Sequence, residues 1–405
     1  MANILGINLS ELNQAEVLKK IADFFRDGKQ HYIVTPNPEI ILASHKDEEL
    51  FYILNEADLS LADGFGLKVA GWLFGFNIPR VTGADITVEL LKIAASDEIK
   101  IIVLNWEDGL SKPDDITTAL NQKFPGLIFS VLDISRDKFL SSDAINKINE
   151  FAPAILFNTL GFPYQEKLMY HNLSKLPSVK VALGIGGSFD FITGKAKRAP
   201  KIFRALGLEW FWRLLNSFRS HNTWHRLKRI YQATFVFIWK IMSGRFINPL
   251  FYRKNVACFL YKKEGAELKV LIVERTDEAG HWQLPQGGTD GEDLETAGSR
   301  EMREELGTDK FTAKTTFKNV HRYLFKVRDK YVVNNSRKYV FNHKGQSQGL
   351  LIAEFIGMDD DIKINFWDHQ NFKWVSIDNL LTSASPVRVA GYEKFLEKFK
   401  SLNIK

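Results

Sequence analysis

The chain has 405 residues, 45% hydrophobic and 25% charged, a composition of soluble globular type too long for one ordinary core, so two domains are expected. Its single cysteine, Cys258, excludes an internal disulfide, and the first residues carry neither the basic n-region nor the apolar h-region of a secretory leader, which points to a reducing cytoplasm. The net charge of +6 is uneven: Lys195–Arg245 holds twelve Lys or Arg against one acid, Glu209, which leaves the remainder at −5 and points to an anionic partner of one region.

Up to about residue 208, short apolar runs alternate with helical patterns. Strands are predicted at His31–Pro36, Ile99–Leu104, Leu127–Ile134, Ala154–Gly161 and Val179–Gly187, each ending near Gly, Pro or Asn. Amphipathic stretches such as Ala15–Phe25 and Ile40–Ile53 lie between them. This is the spacing of βαβ units, so a Rossmann-like, mostly parallel sheet with helices on both faces is expected. Ligands of such sheets sit beyond the strand C-termini, and the unusual residues fall in those loops. They are Thr35-Pro-Asn37-Pro-Glu39, Ala62-Asp63-Gly64 and Arg80-Val-Thr-Gly83. An aspartate flanked by small residues can reach a ligand and act as a base, although Asp63 taken singly reads more commonly as a turn former.

A basic aromatic stretch follows, in which Trp210, Trp212, Phe218, Trp224, Phe235 and Trp239 interleave with Arg213, Arg219, Arg226, Arg229 and Lys240. Its most apolar part, Ile230–Met242, has 13 residues and is interrupted by Lys240, short of the roughly 18 that span a bilayer. Aromatics with cations on amphipathic helices suit an anionic membrane surface; an interdomain helix and an RNA-binding stretch are the competing readings. Gly244 and Pro249 break the helical pattern, and the domain boundary is placed there. The expected organisation is 1–208, an appendage and linker at 209–249, and 250–405. In the last part, Asn255–Tyr261, Leu268–Arg275, Lys330–Asn335 and Gly349–Gly357 read as strands, Leu294–Leu306 as a strong helix and Val387–Phe399 as a terminal one.

In that strong helix Glu301, Glu304 and Glu305 are spaced i, i+3, i+4, which gathers three carboxylates on one face while Met302 and Leu306 form an apolar ridge elsewhere. Clustered anions repel unless a hard cation sits among them, and an all-oxygen set suits Mg²⁺ or Mn²⁺ bridging to a phosphate. Arg300, one turn before Glu304, can hold that carboxylate. Gly287-Gly288 lets backbone approach a phosphate, and Gly307 suits the helix C-terminus.

These residues resemble the Nudix box, G-x5-E-x7-R-E-U-x-E-E-x-G-U. Glu292, Arg300, Glu301, Met302, Glu304, Glu305 and Gly307 match in register; only four residues separate Gly287 from Glu292, and Thr308 replaces the final apolar residue. His281–Gly288 and Lys344–Gln348 are similar to the branch that cleaves dinucleoside polyphosphates or RNA 5′ ends. The resemblance implies an α/β/α sandwich, a metal on Glu301, Glu304 and Glu305, and water attack on a nucleoside diphosphate derivative. It also implies a further acidic ligand or base, for which Glu354, Asp360 and Asp361 are open candidates.

The N-terminal loops, with Gly161-Phe-Pro163-Tyr-Gln165-Glu166, Gly184-Ile-Gly186-Gly187 and Gly194–Pro200, resemble the WecG/TagA/CpsF glycosyltransferases over roughly residues 1–230. That family moves an N-acetylmannosamine-type sugar from a UDP donor to a polyprenyl-diphosphate-linked saccharide, with inversion and no obligatory metal. The resemblance implies Asp63 as general base, with Thr35, Asn37, Arg80 and Gln165 lining the site. It implies Gly186 and Gly187 at the donor diphosphate, and Arg213 and Arg219 as arginines for a diphosphate. Asn105-Trp106, Val131-Leu-Asp133 and Asn158-Thr159 depart from the family pattern at strand ends, where donor recognition is expected. The expected whole is a bifunctional enzyme, peripheral on the inner face of the cell membrane. Its competitor is a Nudix enzyme of RNA ends or nucleotides carrying a non-catalytic sugar-nucleotide module.

Overall fold

A computed structural model describes residues 1–200, 203, 212, 232–265, 267–324 and 343–404. The chain forms two units, Met1–Arg245 and Phe246–Lys405.

The first unit opens with a hairpin of β1 (Ala2–Ile4) and β2 (Ile7–Leu9), turned by Leu5 and Gly6 at φ 51° and 88°, the left-handed pair that a two-residue turn demands. Helix α1 (Gln14–Phe24) starts on a reciprocal cap in which Asn13 accepts from the Glu16 amide and Glu16 accepts from the Asn13 amide. After β3 (His31–Val34), the stretch expected as one helix over Ile40–Ile53 is two, α2 (Pro38–Ser44) and α3 (Glu48–Glu56). The reason is Asp47, which leaves the helical region at ψ 93° and caps α3 by accepting from the Leu50 amide.

There follow β4 (Leu59–Ser60), α4 (Phe65–Phe74), α5 (Gly83–Ser96), β5 (Ile101–Trp106), α6 (Pro113–Lys123), β6 (Phe129–Ile134), α7 (Ser142–Phe151), β7 (Ile155–Asn158), α8 (Tyr164–Asn172), β8 (Val181–Gly184) and α9 (Ser188–Ile192). The six long-range strands make one parallel sheet in the order β4-β3-β8-β7-β5-β6. The inner strands β3, β8, β7 and β5 are buried almost throughout, as a sheet covered on both faces requires. Two crevices follow from the order. The crossover from β5 leads outward to β6 while that from β7 leads the other way to β8, and β3 likewise turns away from β8 toward β4. Ligands of such sheets bind where strand order reverses, so the β3/β8 and β5/β7 C-termini are the places to look.

Late in this unit lies α10 (Phe237–Met242), with Phe237 and Ile241 buried. The helical backbone does not stop at Gly244: a π-helical turn, Ser243–Ile247, carries it on, and a 3-10 turn, Asn248–Leu250, ends it at the proline. Among the described residues no helix is long and apolar enough to cross a membrane.

The second unit contains β9 (Tyr252–Glu264), β10 (Glu267–Arg275), β11 (Trp282–Gln283), β12 (Gln286–Gly288), α11 (Leu294–Leu306), β13 (Phe311–Leu324), β14 (Gly345–Phe355), β15 (His369–Ser376), α12 (Leu380–Ser383) and α13 (Val389–Lys400). The sheet runs β11-β10-β9-β14-β13, with β12 on β9 and β15 on β10; β9 and β14 pair in parallel. Alternation along β9 divides two cores: Val256, Cys258 and Leu260 pack under Ala297, Met302 and Leu306 of α11, while Ala257, Phe259 and Tyr261 pack under Tyr392, Phe395 and Phe399 of α13. The unit is an α/β/α sandwich. Strands β13 and β15 had no counterpart in the sequence reading, and the strand expected at 330–335 lies outside the described residues.

Candidate active sites

In the first unit the predicted loops meet at the ends of β3, β4 and β8. The Thr35 hydroxyl donates to the Gly184 carbonyl at 2.9 Å, tying the β3 end to the β8 end. The Asp63 amide donates to the Pro36 carbonyl and the Val81 amide to the Ala62 carbonyl, which brings Asp63, partly exposed, and Arg80 to the same edge. Arg198 closes the cluster with an ion pair to Asp85 at 2.8 Å and a hydrogen bond to the Thr82 hydroxyl. Asn37 is on this edge, but its side-chain oxygen is taken: it caps α2 by accepting from the Glu39 and Ile40 amides.

Two expectations change here. The Gly186 amide, expected to face a diphosphate, donates instead to Gln165 Oε1 at 2.9 Å. Gln165 is itself buried and donates through Nε2 to Glu166 Oε1 at 2.7 Å, so it braces the glycine loop from behind. Glu166, part of the family motif but given no role from the sequence, is fully buried, and its other oxygen has no hydrogen-bond partner. Burial pushes its carboxyl up to about 7, against the Gln165 hydrogen bond that pulls it down. Gly187 stands at the start of α9, where a side chain would crowd the Asp190 carboxylate at 2.9 Å. Arg213 and Arg219 lie outside the described residues.

The residues that depart from the family pattern form one network at the β5/β7 crevice. Asn105 donates to Asp133 at 2.7 Å and to the Ser111 carbonyl, and accepts from the Thr159 hydroxyl, while Ser111 donates to Asp190 at 2.7 Å. The Arg136 guanidinium lies 3.4 Å over the Trp106 ring and donates to the Leu160 carbonyl. Side chains thus occupy the crevice edge where glycines would have left it open.

In the second unit the site is built on α11. Arg300 is its hub: Nε donates to Glu292, Nη1 to Glu301 at 2.8 Å and to Glu304 at 3.1 Å, and Nη2 to the Gly288 carbonyl at 2.9 Å. One guanidinium therefore fixes two carboxylates of the helix and the glycine loop together. Glu301 and Glu305 are buried, whereas Glu304 is exposed. Gly287 is obligatory at its place, since a Cβ there would lie 1.8 Å from the Glu301 carboxyl carbon. Gly307 ends the helix in the left-handed region at φ 62°.

Burial, and then the neighbouring Glu305, pushes Glu301 up to about 8 despite Arg300, and burial likewise raises Glu305. Two buried acids that resist ionisation on one helix face fit a divalent cation, which supplies the missing positive charge. Beside them stand residues that the sequence reading missed. His369 Nε2 is 3.1 Å from Glu305, and Asp368 lies close enough for its charge to raise Glu305. The open candidates fare differently. Glu354 shares the α13 face of β14 with Leu350 and Ile352 and pairs with Lys314 at 2.6 Å; Asp361 is used on the Met358 amide. Neither is brought to the carboxylates, and Asp360 makes no described contact with them.

The two motifs flanking the box do meet. Gln286, whose amide donates to Glu305, hydrogen-bonds through its side chain with Gln348 at 2.8 Å.

Comparison with known proteins agrees with this division. The model of the family described as "Glycosyl transferase WecG/TagA/CpsF family" matches residues 2–249, and that of the "NUDIX domain" matches 251–399. An N-acetylglucosaminyldiphosphoundecaprenol N-acetyl-beta-D-mannosaminyltransferase of Staphylococcus aureus (strain MRSA252) is 28% identical over 250 residues, 60% of this chain and 92% of the relative. The solved C. elegans Ap4A hydrolase binary complex is 21% identical, with a TM-score of 0.27, covering 37% of this chain and 98% of that one. The E. coli dihydroneopterin triphosphate pyrophosphohydrolase is 17% identical, with a TM-score of 0.28, covering 36% of this chain and 99% of that one. The chain belongs to the WecG/TagA/CpsF glycosyltransferase family and carries a NUDIX domain behind its glycosyltransferase domain.

Proposed function

We propose that the chain is a bifunctional enzyme: an inverting transferase of an N-acetylhexosamine-type sugar from UDP to a polyprenyl-diphosphate-linked saccharide, and a Mg²⁺-dependent hydrolase of a nucleoside diphosphate derivative. The observation that carries the transferase reading is the meeting of Asp63, Arg80, Thr35 and Gly184 at one sheet edge in a chain of this family. Asp63 takes the proton of the acceptor hydroxyl, whose oxygen attacks the anomeric carbon as the UDP oxygen leaves, so a single displacement inverts the centre. Arg80, and from the appendage Arg213 and Arg219, would neutralise the departing diphosphate. Gly187 adds backbone that a phosphate can approach; Gly186 and Gln165 hold that loop in shape.

The hydrolase reading rests on the Arg300 hub and the buried carboxylate pair. Glu301, Glu304 and Glu305 would hold Mg²⁺ or Mn²⁺, with Asp368 close enough for its charge to act on Glu305. When bound, the cation supplies charge neutralisation at the phosphate and lowers the pKa of a water. The Gly287-Gly288 loop brings backbone to that phosphate.

Location at the inner membrane surface is supported by Phe235, Ile238, Trp239 and Met242, exposed at i, i+3, i+4 and i+7 in and beside α10, on a segment rich in cations. RNA is the less favoured occupant. One observation favours the competing reading of a non-catalytic sugar-nucleotide module: the side-chain network across the β5/β7 crevice. UDP release from UDP-HexNAc, measured with a polyprenyl-diphosphate-GlcNAc acceptor, decides between them, and no release with any UDP-HexNAc defeats the transferase reading. Flotation with anionic liposomes tests the surface, where salt-dependent RNA binding without flotation would defeat it. A Mg²⁺ substrate screen on wild type and Glu304→Gln tests the hydrolase, with turnover expected only in the wild type.

A further inference from the structure

Arg388 stands out among the cations of the second unit because its partners are amides. Its Nη2 donates to Gln283 Oε1 at 2.8 Å, the Gln286 side-chain amide lies 3.2 Å from both Nη1 and Nη2 with its oxygen turned to accept, and the Arg388 Nε is buried with no hydrogen-bond partner. Among the described residues no carboxylate forms an ion pair with it. A half-buried guanidinium left without a countercharge costs stability, and a purely structural role would be served better by an acid or an apolar residue. Next to it His281 Nε2 is also buried without a partner, and burial, then Arg388 and Arg275, hold that imidazole below its ordinary range. His281 Nδ1 faces the Glu278 carboxylate at 3.1 Å and Arg275 pairs with Asp277, so Arg388 is the cation of this corner that stays without a countercharge, held by amides that do not neutralise it.

The corner adjoins the carboxylate site. Gln286 separates them, its backbone amide donating to Glu305 while its side-chain amide lies against the Arg388 guanidinium. Tyr392, which hydrogen-bonds the Leu284 amide, feels the charges of both Arg388 and Glu305. A substrate whose scissile diphosphate sits at Glu301 and Glu305 would extend its leaving substituent along Gln286 toward Arg388.

We propose that Arg388, aimed by Gln283 and Gln286, binds an anionic group on the substituent X of a nucleoside diphosphate-X substrate, and so selects against substrates whose X is a neutral sugar. The proposal rests on the hydrolase reading. Its consequence for the fusion is direct: a donor carrying an uncharged N-acetylhexosamine, the kind proposed for the first unit, is a poor substrate of the second. With a triphosphate, water adds at the α phosphorus, the α–β bridging bond breaks, and nucleoside monophosphate and pyrophosphate leave with release of a proton. With a neutral sugar the same cleavage would give nucleoside monophosphate and sugar 1-phosphate.

The test uses the full chain with Mg²⁺ and matched pairs that share a base: UTP against UDP-GlcNAc, and ATP against ADP-ribose. A charge-assisted contact is worth roughly 1.5–3 kcal/mol, about ten- to a hundredfold. Wild type should favour the triphosphates in kcat/KM by at least about tenfold, and Arg388→Gln should remove most of that preference by slowing the triphosphates alone, with Arg388→Lys between. Equal use of both members by the wild type overturns the proposal, as does an equal loss on both in Arg388→Gln. Calorimetric binding of inorganic tripolyphosphate without metal provides an arm independent of turnover. Arg388-dependent binding by a chain that hydrolyses nothing would sink the hydrolase reading and leave the anion site standing; binding unchanged in Arg388→Gln would sink the anion site.

Discussion

The two sites are assembled from different ranges of the chain. The hydrolase cluster comes largely from one helix and the loop before it, with Arg300 reaching Glu301 beside it, Glu304 one turn on and Glu292 in that loop. The transferase cluster comes from the ends of three strands and from loops that only the sheet order brings together. The residues differ as well: acids gathered on one helix face in one, and in the other a partly exposed aspartate, Asp63, among hydroxyls, glycines and arginines, with Asp85 taken up by Arg198. A site written in i, i+4 spacing exposes its mechanism in the sequence, whereas a site written in topology exposes only its parts.

The sharpest way to break this comparison is to disable each site alone. Asp63→Asn should lower UDP release by about 10²- to 10⁴-fold, the usual contribution of a general base, and leave Mg²⁺-dependent hydrolysis unchanged. Chelation with EDTA should do the reverse, stopping hydrolysis while UDP release continues. Loss of both activities in either experiment would mean that the units do not work independently. The next effect in size belongs to Arg300, which holds two of the proposed metal ligands, Glu301 and Glu304, without being one. Arg300→Ala should cost roughly 10- to 100-fold in Mg²⁺ affinity or turnover, read by metal titration and initial rates, with the transferase again untouched. A loss below twofold would remove the guanidinium from its role as hub.

The same contrast governs what the sequence disclosed. The parallel sheet was legible because β3, β5, β7 and β8 are apolar on both faces, and α11 because its acids, its ridge of Met302 and Leu306 and its terminal Gly307 agree. Edge strands were not: β13 and β15 are half exposed along their length and show no clean alternation of apolar residues. With β15 went Asp368 and His369, which reach Glu305 only because β15 pairs with β10. An acid and a histidine side by side just before Asn371-Phe-Lys-Trp374 were the one available signal. Gly186 failed differently. Its strand end was foreseen, but the direction of its amide depends on Gln165, which comes from a separate helix.

A smaller effect sharpens the metal half of the comparison. Glu301 must lose its proton to ligate a cation, and in the free chain its carboxyl stands near 8, raised by burial and by Glu305. Metal binding is therefore coupled to proton release, and affinity should rise with pH up to about 8, by about tenfold per unit if one proton leaves. Mg²⁺ titration calorimetry at about pH 6.5 and about pH 8.5, repeated in buffers of different ionisation enthalpy, reads both affinity and proton count. A flat affinity would mean that Glu301 is already ionised without the metal.

The smallest expected effect concerns stability, and it tests the transferase half. Glu166 is raised by burial to about 7 from an ordinary 4.5, so its protonated form is the one the fold prefers. Its contribution to stability is then fully present below about pH 4.5 and is lost as pH rises through about 7, the reverse of a salt-bridged acid. The whole swing is on the order of 3 kcal/mol at most, because it is set by the gap between the two pKa values. Glu166→Gln keeps the shape and the acceptor for Gln165 Nε2 but cannot ionise. Denaturant unfolding of the first unit between about pH 5 and about pH 8 should show the wild type losing stability across that window relative to the variant. Parallel pH curves would mean that Glu166 ionises as easily in the fold as in the unfolded chain. The brace from Glu166 through Gln165 to the Gly186 amide would then be a charged one, and its hold on the glycine loop would strengthen with pH instead of weakening the fold.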